Sequence, residues 1–73
     1  MNTQTFFYDC NSERYCVGSH QLHCGDCFIL YAPAGRKEVR IEHSRSCGGW
    51  YLVGAFPAQA ENYEGCKASM YDR

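Results

Sequence analysis

The sequence predicts an all-β fold: a small barrel, closed or nearly closed, of five or six short antiparallel strands. Three observations carry that expectation. β-Prone runs recur at close intervals with turn formers between them. The run Lys37–His43 alternates, with Val39, Ile41 and His43 toward one face and Glu38, Arg40 and Glu42 toward the other. At 73 residues the chain is also too short to hide the edges of an open, two-sided sheet, which closure would remove.

The elements follow in order. Thr5-Phe6-Phe7-Tyr8 is aromatic and β-prone, and Tyr15-Cys16-Val17 is a second apolar run. Asp9–Arg14 between them is rich in turn formers, so the two runs read as a hairpin. Gly18-Ser19-His20 breaks the pattern. Cys27–Ala32 is the next strand, halted by Pro33-Ala34-Gly35, and Lys37–His43 follows it as a half-buried strand with a wet outer side. After a loop carrying Cys47, Gly48 and Gly49, the run Trp50–Val53 places Trp50 and Leu52 on one face and Tyr51 and Val53 on the other. Pro57–Gly65 has the composition for one or two helical turns, with proline near the start and glycine after the end. Cys66–Tyr71 returns as a last strand.

Composition bounds the function. Hydrophobic residues at 45% and charged residues at 21% describe a folded protein and exclude a disordered one. The chain reads as a single domain over 1–73, without repeat, linker or low-complexity tract. The longest apolar runs fall far short of the ~20 residues that cross a bilayer, so no membrane partner is expected. Met1–Thr5 has neither the positive cluster nor the apolar core of an export signal, which predicts a cytoplasmic protein. A net charge of −1 removes the simplest electrostatic case for nonspecific nucleic-acid binding.

Cysteine is the unusual residue, at positions 10, 16, 24, 27, 47 and 66. A reducing cytosol favours buried or metal-bound thiols over disulfides. Cys24 and Cys27 form a C-x-x-C pair, the spacing that brings two thiolates from one turn onto a zinc ion. His20 and His23 are the nearest further ligands, with His43 and the other cysteines behind them. No second C-x-x-C completes the signature, so buried thiols are the preferred reading and zinc is the one cofactor the residues admit.

Three stretches carry a resemblance: Leu22-His23-Cys24-Gly25-Asp26-Cys27-Phe28, Val39-Arg40-Ile41-Glu42 and Gly49-Trp50-Tyr51-Leu52-Val53-Gly54. Over Phe7 to Gly54 the chain resembles an uncharacterised family, a domain of unknown function, of small proteins from phages and conjugative elements of Gram-positive bacteria. The resemblance implies a β-rich, SH3-like barrel and a mobile-element setting, and no activity. His23–Asp26 matches the family pattern, whereas Cys10, Cys16, Cys47 and Cys66 depart from it, so a zinc site using them would be particular to this chain.

Function is expected to be non-catalytic binding of a protein, either a host component or a member of the element's own complex. Eleven aromatic residues exceed what so small a fold can bury, and exposed Tyr and Trp make strong contacts at low entropic cost. Tyr31, Arg40, Arg45 and Tyr51 are the expected contact residues, with Tyr63 and Tyr71 as further candidates, while Trp50 is assigned to the core. One exposed apolar face would also suffice for a homo-oligomer. Two alternatives remain. Arg36, Lys37, Arg40 and Arg45 near Tyr31 and Tyr51 suit a single-stranded nucleic acid, although Glu38 and Glu42 interleave with them. A zinc-stabilised structural domain is the other. No enzyme is expected: phosphate loops, nucleophile elbows and H-E-x-x-H are absent, and neighbours such as His43 and Ser44 point to opposite strand faces. His43 is instead expected at the core boundary with a hydrogen-bond partner.

Overall fold

The computed structural model describes residues 3–46 and 48–71. Met1, Asn2, Cys47, Asp72 and Arg73 lie outside it, and with Cys47 one of the thiols considered for zinc. Seven strands follow in chain order: β1 (Gln4–Asp9), β2 (Arg14–Val17), β3 (His20–Gln21), β4 (Cys27–Ala32), β5 (Gly35–Ser44), β6 (Gly49–Val53) and β7 (Lys67–Met70). They form one antiparallel sheet in the order β3-β2-β1-β7-β4-β5-β6. The fold class is all-β, with no α-helix among the described residues.

The hairpin β1–β2 pairs Phe7 with Cys16 and Tyr8 with Tyr15. Asp9 builds its turn, accepting a 3.1 Å hydrogen bond from the Asn11 N–H and a 2.9 Å bond from the Ser12 hydroxyl. The strand beyond the expected number is β3. Gly18 turns the chain at φ +60°, and His20 and Gln21 then pair with Val17 and Cys16. A two-residue strand has no period to read, so the sequence shows only the break. Pro57–Gly65 forms a single 3₁₀ turn at Ala60–Tyr63, which buries Ala60 and Tyr63. The stretch is too short to sustain an α-helix alone.

Alternation sets the core. Phe28 and Leu30 of β4, Val39 and Ile41 of β5, Leu52 of β6 and Ala68 of β7 face inward, meeting Phe6 and Val17 from the first hairpin. Val39 and Ile41 are buried while Arg40 is exposed, as the sequence pattern requires. Burying a side chain such as Phe6 or Phe28 contributes about 1.5–3 kcal/mol. On the opposite face Ile29 is also buried, paired with Glu38 on one side and Ser69 on the other.

The sheet curls but does not close, so the closed form of the expected barrel, closed or nearly closed, is corrected. Phe6 of β1 stacks on Phe28 of β4 at 5.5 Å, although β7 separates the two strands in the sheet. The ends β3 and β6 do not pair with each other. The segment after β3 extends the β4–β5 ladder through Gly25 N–H to Ile41 O (2.8 Å) and Ile41 N–H to Asp26 O (3.0 Å). The free edge of β6 is met by Leu52 N–H to Ala58 O (2.7 Å) and by pairing of Tyr51 with Gln59. An edge capped in this way has no need of a partner strand.

Candidate functional site

A train of rings runs from the core to the surface across the opening in the wall. Phe6 lies 4.9 Å from Tyr15 at an interplanar angle of 11°. Tyr15 then meets Tyr8 edge-on at 5.1 Å and Trp50 at 6.5 Å, and Trp50 meets His43 at 4.8 Å. Local pairing explains these neighbours: Phe6 and Tyr8 share a face of β1, Tyr8 is opposite Tyr15, and His43 is opposite Trp50. The Tyr15–Trp50 contact is different in kind. It joins β2 to β6 across the gap where the curled sheet fails to close.

Two depressions flank this seam and share Tyr8 and Trp50. One, of about 380 Å³, is lined by Tyr8, Tyr15, Gly48, Gly49, Trp50, Glu61 and Glu64. The other, of about 510 Å³, is lined by Tyr8, Ser12, Glu13, Arg14, Cys24, His43 and Trp50. The Tyr15 hydroxyl donates a 3.0 Å hydrogen bond to Glu64 Oε2. Burial above all, then the bonded and charged Glu64 carboxylate, then the charge of Glu61, push the Tyr15 phenol well above its ordinary range. Both carboxylates therefore act on the same buried ring. Among the described residues neither has a basic side chain within ion-pair distance.

The residues expected to make contacts lie elsewhere. Tyr31, Arg40 and Tyr51 share the outer face of the sheet. Tyr31 pairs with Arg36 and Tyr51 with Glu42, so about 20 Å of β5 separates them and they form no single patch. Arg40 Nε is held 2.8 Å from Glu42 Oε2, Tyr31 is half-buried against Ser69, and Arg45 sits exposed in the turn beyond β5. Tyr63 is not a surface contact: it is buried, and its hydroxyl donates to Pro57 O at 2.6 Å. Tyr71 is exposed at the end of β7.

The zinc candidates run from β3 to the start of β4 without converging. Cys24 and Cys27 are both exposed, but Cys24 lines the depression with Trp50, whereas Cys27 lines a third, of about 490 Å³, with His20, Asp26, Met70 and Tyr71. His20 and His23 turn to Asp26 instead, at 3.9 and 3.7 Å from its Oδ2. Among the described residues no three His, Cys, Asp or Glu side chains are grouped as a metal site would need. Among the described thiols Cys16 alone is buried; Cys10, Cys24 and Cys27 are exposed and Cys66 is half-buried, which corrects the preferred reading of the cysteines as buried thiols.

The sequence does not mark Tyr8, Tyr15, Glu61 and Glu64 as a site, and it places Trp50 in the core. Trp50 is half-buried against the core rather than within it, and so serves both core and seam. His43 is exposed at the end of β5, and its partner is the Trp50 ring rather than a hydrogen-bonding group. Alternation already set Trp50 and His43 on the inner face. What it could not show is that the wall opens beside them.

Comparison with known proteins adds a family and a fold. The family model for a domain of unknown function, DUF5348, matches residues 4–70. The crystal structure of a protein from Ruminococcus gnavus superposes with a TM-score of 0.74 at 31% identity, covering 94% of this chain and 100% of that one. No curated protein matches the chain. Among the described residues no helix is long and apolar enough to cross a membrane.

Proposed function

The chain belongs to the DUF5348 family, a domain of unknown function, and we propose that it is a non-catalytic module that binds a protein partner at the Tyr8–Trp50 seam. One observation carries the reading. Two aromatic side chains, Tyr8 of β1 and Trp50 of the end strand β6, line both of two adjoining open depressions. Rings fixed by packing and open on one side give contact area at low ordering cost, the character of interface anchors.

The setting implied by the sequence resemblance belongs to the same proposal. The module serves a phage or conjugative element of a Gram-positive host, inside the cell, on a host protein or within the element's own complex. A strongly curled small sheet with an aromatic opening suits the use that SH3-like barrels make of such surfaces. The outer face suits this role less, because its tyrosines are far apart and Arg40 is engaged by Glu42.

Site-specific photo-cross-linking in host cells tests the reading. A benzophenone amino acid at position 8 is expected to trap a discrete protein adduct that Trp50→Ala abolishes. The same group at position 31, on the outer face, serves as the control. Adducts formed equally from both positions, or from 31 alone, would reject the seam.

A further inference from the structure

We propose that the depression between Tyr8, Tyr15 and Trp50 receives a cationic side chain, lysine or arginine, of the partner. The inference rests on the binding role proposed above and adds the chemistry that the seam selects. Its basis is the combination of rings and charge at one place. Tyr8 and Trp50 flank Tyr15 at steep angles, 61° and 75°, so the depression has aromatic walls rather than a flat aromatic floor. A cation within about 6 Å of such a ring is attracted to its face, most strongly for Trp.

The rim supplies the matching charge. Glu61 and Glu64 both line this depression, and among the described residues no lysine, arginine or histidine does. The 3.0 Å bond from the Tyr15 hydroxyl holds the Glu64 carboxylate at the edge of the rings. The neighbouring depression differs: it sets Arg14 and His43 beside Glu13, a mixed lining that selects neither sign. An anionic group would meet two carboxylates in the Tyr15 depression, and a neutral apolar one would gain only ring contact. An ammonium or guanidinium group gains both, because its alkyl stem lies along the rings while its head reaches the carboxylates.

The chain has one tryptophan, so its signals report directly from this wall. The full chain is titrated with the acetylated methylamides of lysine, arginine and norleucine, following the Trp50 indole N–H resonance and fluorescence. A saturable shift with lysine or arginine, at least fivefold tighter than with norleucine and weakened by salt, is expected. The stronger of the two cations identifies the residue that the partner presents. Glu61→Gln with Glu64→Gln should reduce the cation's affinity at least fivefold with the indole signal otherwise intact. Tyr8→Leu, at an exposed ring, should do the same without disturbing the core. Equal binding of norleucine, an unchanged affinity in the glutamine variant, or no saturable shift would overturn the proposal. If the position-8 cross-link persists while cation binding fails, only the cation is rejected; loss of the cross-link as well rejects the binding role.

Discussion

Tyr15 and Glu64, 49 positions apart in sequence, are joined by a 3.0 Å hydrogen bond that ties β2 to the residue after the 3₁₀ turn. The donor is a buried phenol whose pKa is raised, first by burial and then by the carboxylate it contacts. Its contribution to stability is complete below the unfolded phenol's value of about 10 and is lost as pH rises beyond it. Urea unfolding at pH 8 and at pH 11 should show a steeper loss in the native chain than in Tyr15→Phe, a comparison keyed to that value of about 10. At neutral pH the same substitution should cost about 1 kcal/mol for the lost bond.

Gly54 closes the turn after β6 at φ +105°, and a Cβ there would lie 2.7 Å from the Glu38 carbonyl oxygen. Gly54→Ala therefore combines an unfavourable backbone with a collision against β5 that only a backbone shift relieves. A loss of about 2 kcal/mol or more is expected from thermal unfolding. Gly25→Ala is the control: at φ +91° with nothing within 4 Å, it carries the conformational cost alone, about 1 kcal/mol.

Thiol reactivity should separate by position. Cys10, Cys24 and Cys27 are exposed, whereas Cys16 is 3% exposed and burial pushes its thiol pKa up, with the Asp9 charge adding to the effect. Timed iodoacetamide labelling read by peptide mass spectrometry should modify those three early and Cys16 only on unfolding. Because Cys24 and Cys27 line different depressions, added zinc should not protect the pair from the reagent.

Single-stranded nucleic acid is expected not to bind. Arg40 is engaged by Glu42 at 2.8 Å, and Tyr31 and Tyr51 are too far apart to stack successive bases. Labelled oligonucleotides should run unshifted with the protein even at low salt, where phosphate contacts are strongest. A salt-dependent shift would restore the outer face as a binding surface.

These sites differ in how far local sequence foretells them. The period-two pattern of Val39, Ile41 and Leu52 shows each inner face, because side-chain direction depends only on neighbours along the strand. The Asp9–Arg14 turn announces its hairpin for the same reason, since the Asp9 carboxylate organises residues within three positions of itself. Tyr63 misleads because a tyrosine beside Glu61, Asn62 and Glu64 looks like surface, and only the distant core makes it interior. The Tyr15–Trp50 contact is invisible for a deeper reason. It depends on β7 entering between β1 and β4, and nothing within Lys67–Met70 names those neighbours.

That central place of β7 also governs assembly in time. The three N-terminal strands and the following trio are each stitched by local hairpins, and the last strand supplies the backbone seam between the two groups. A growing polypeptide that has emerged only as far as Gly65 carries two greasy half-shells without the staple that holds them together. Ribosomal synthesis delivers that staple after both half-shells, so the nascent domain is most exposed to aggregation until β7 has emerged.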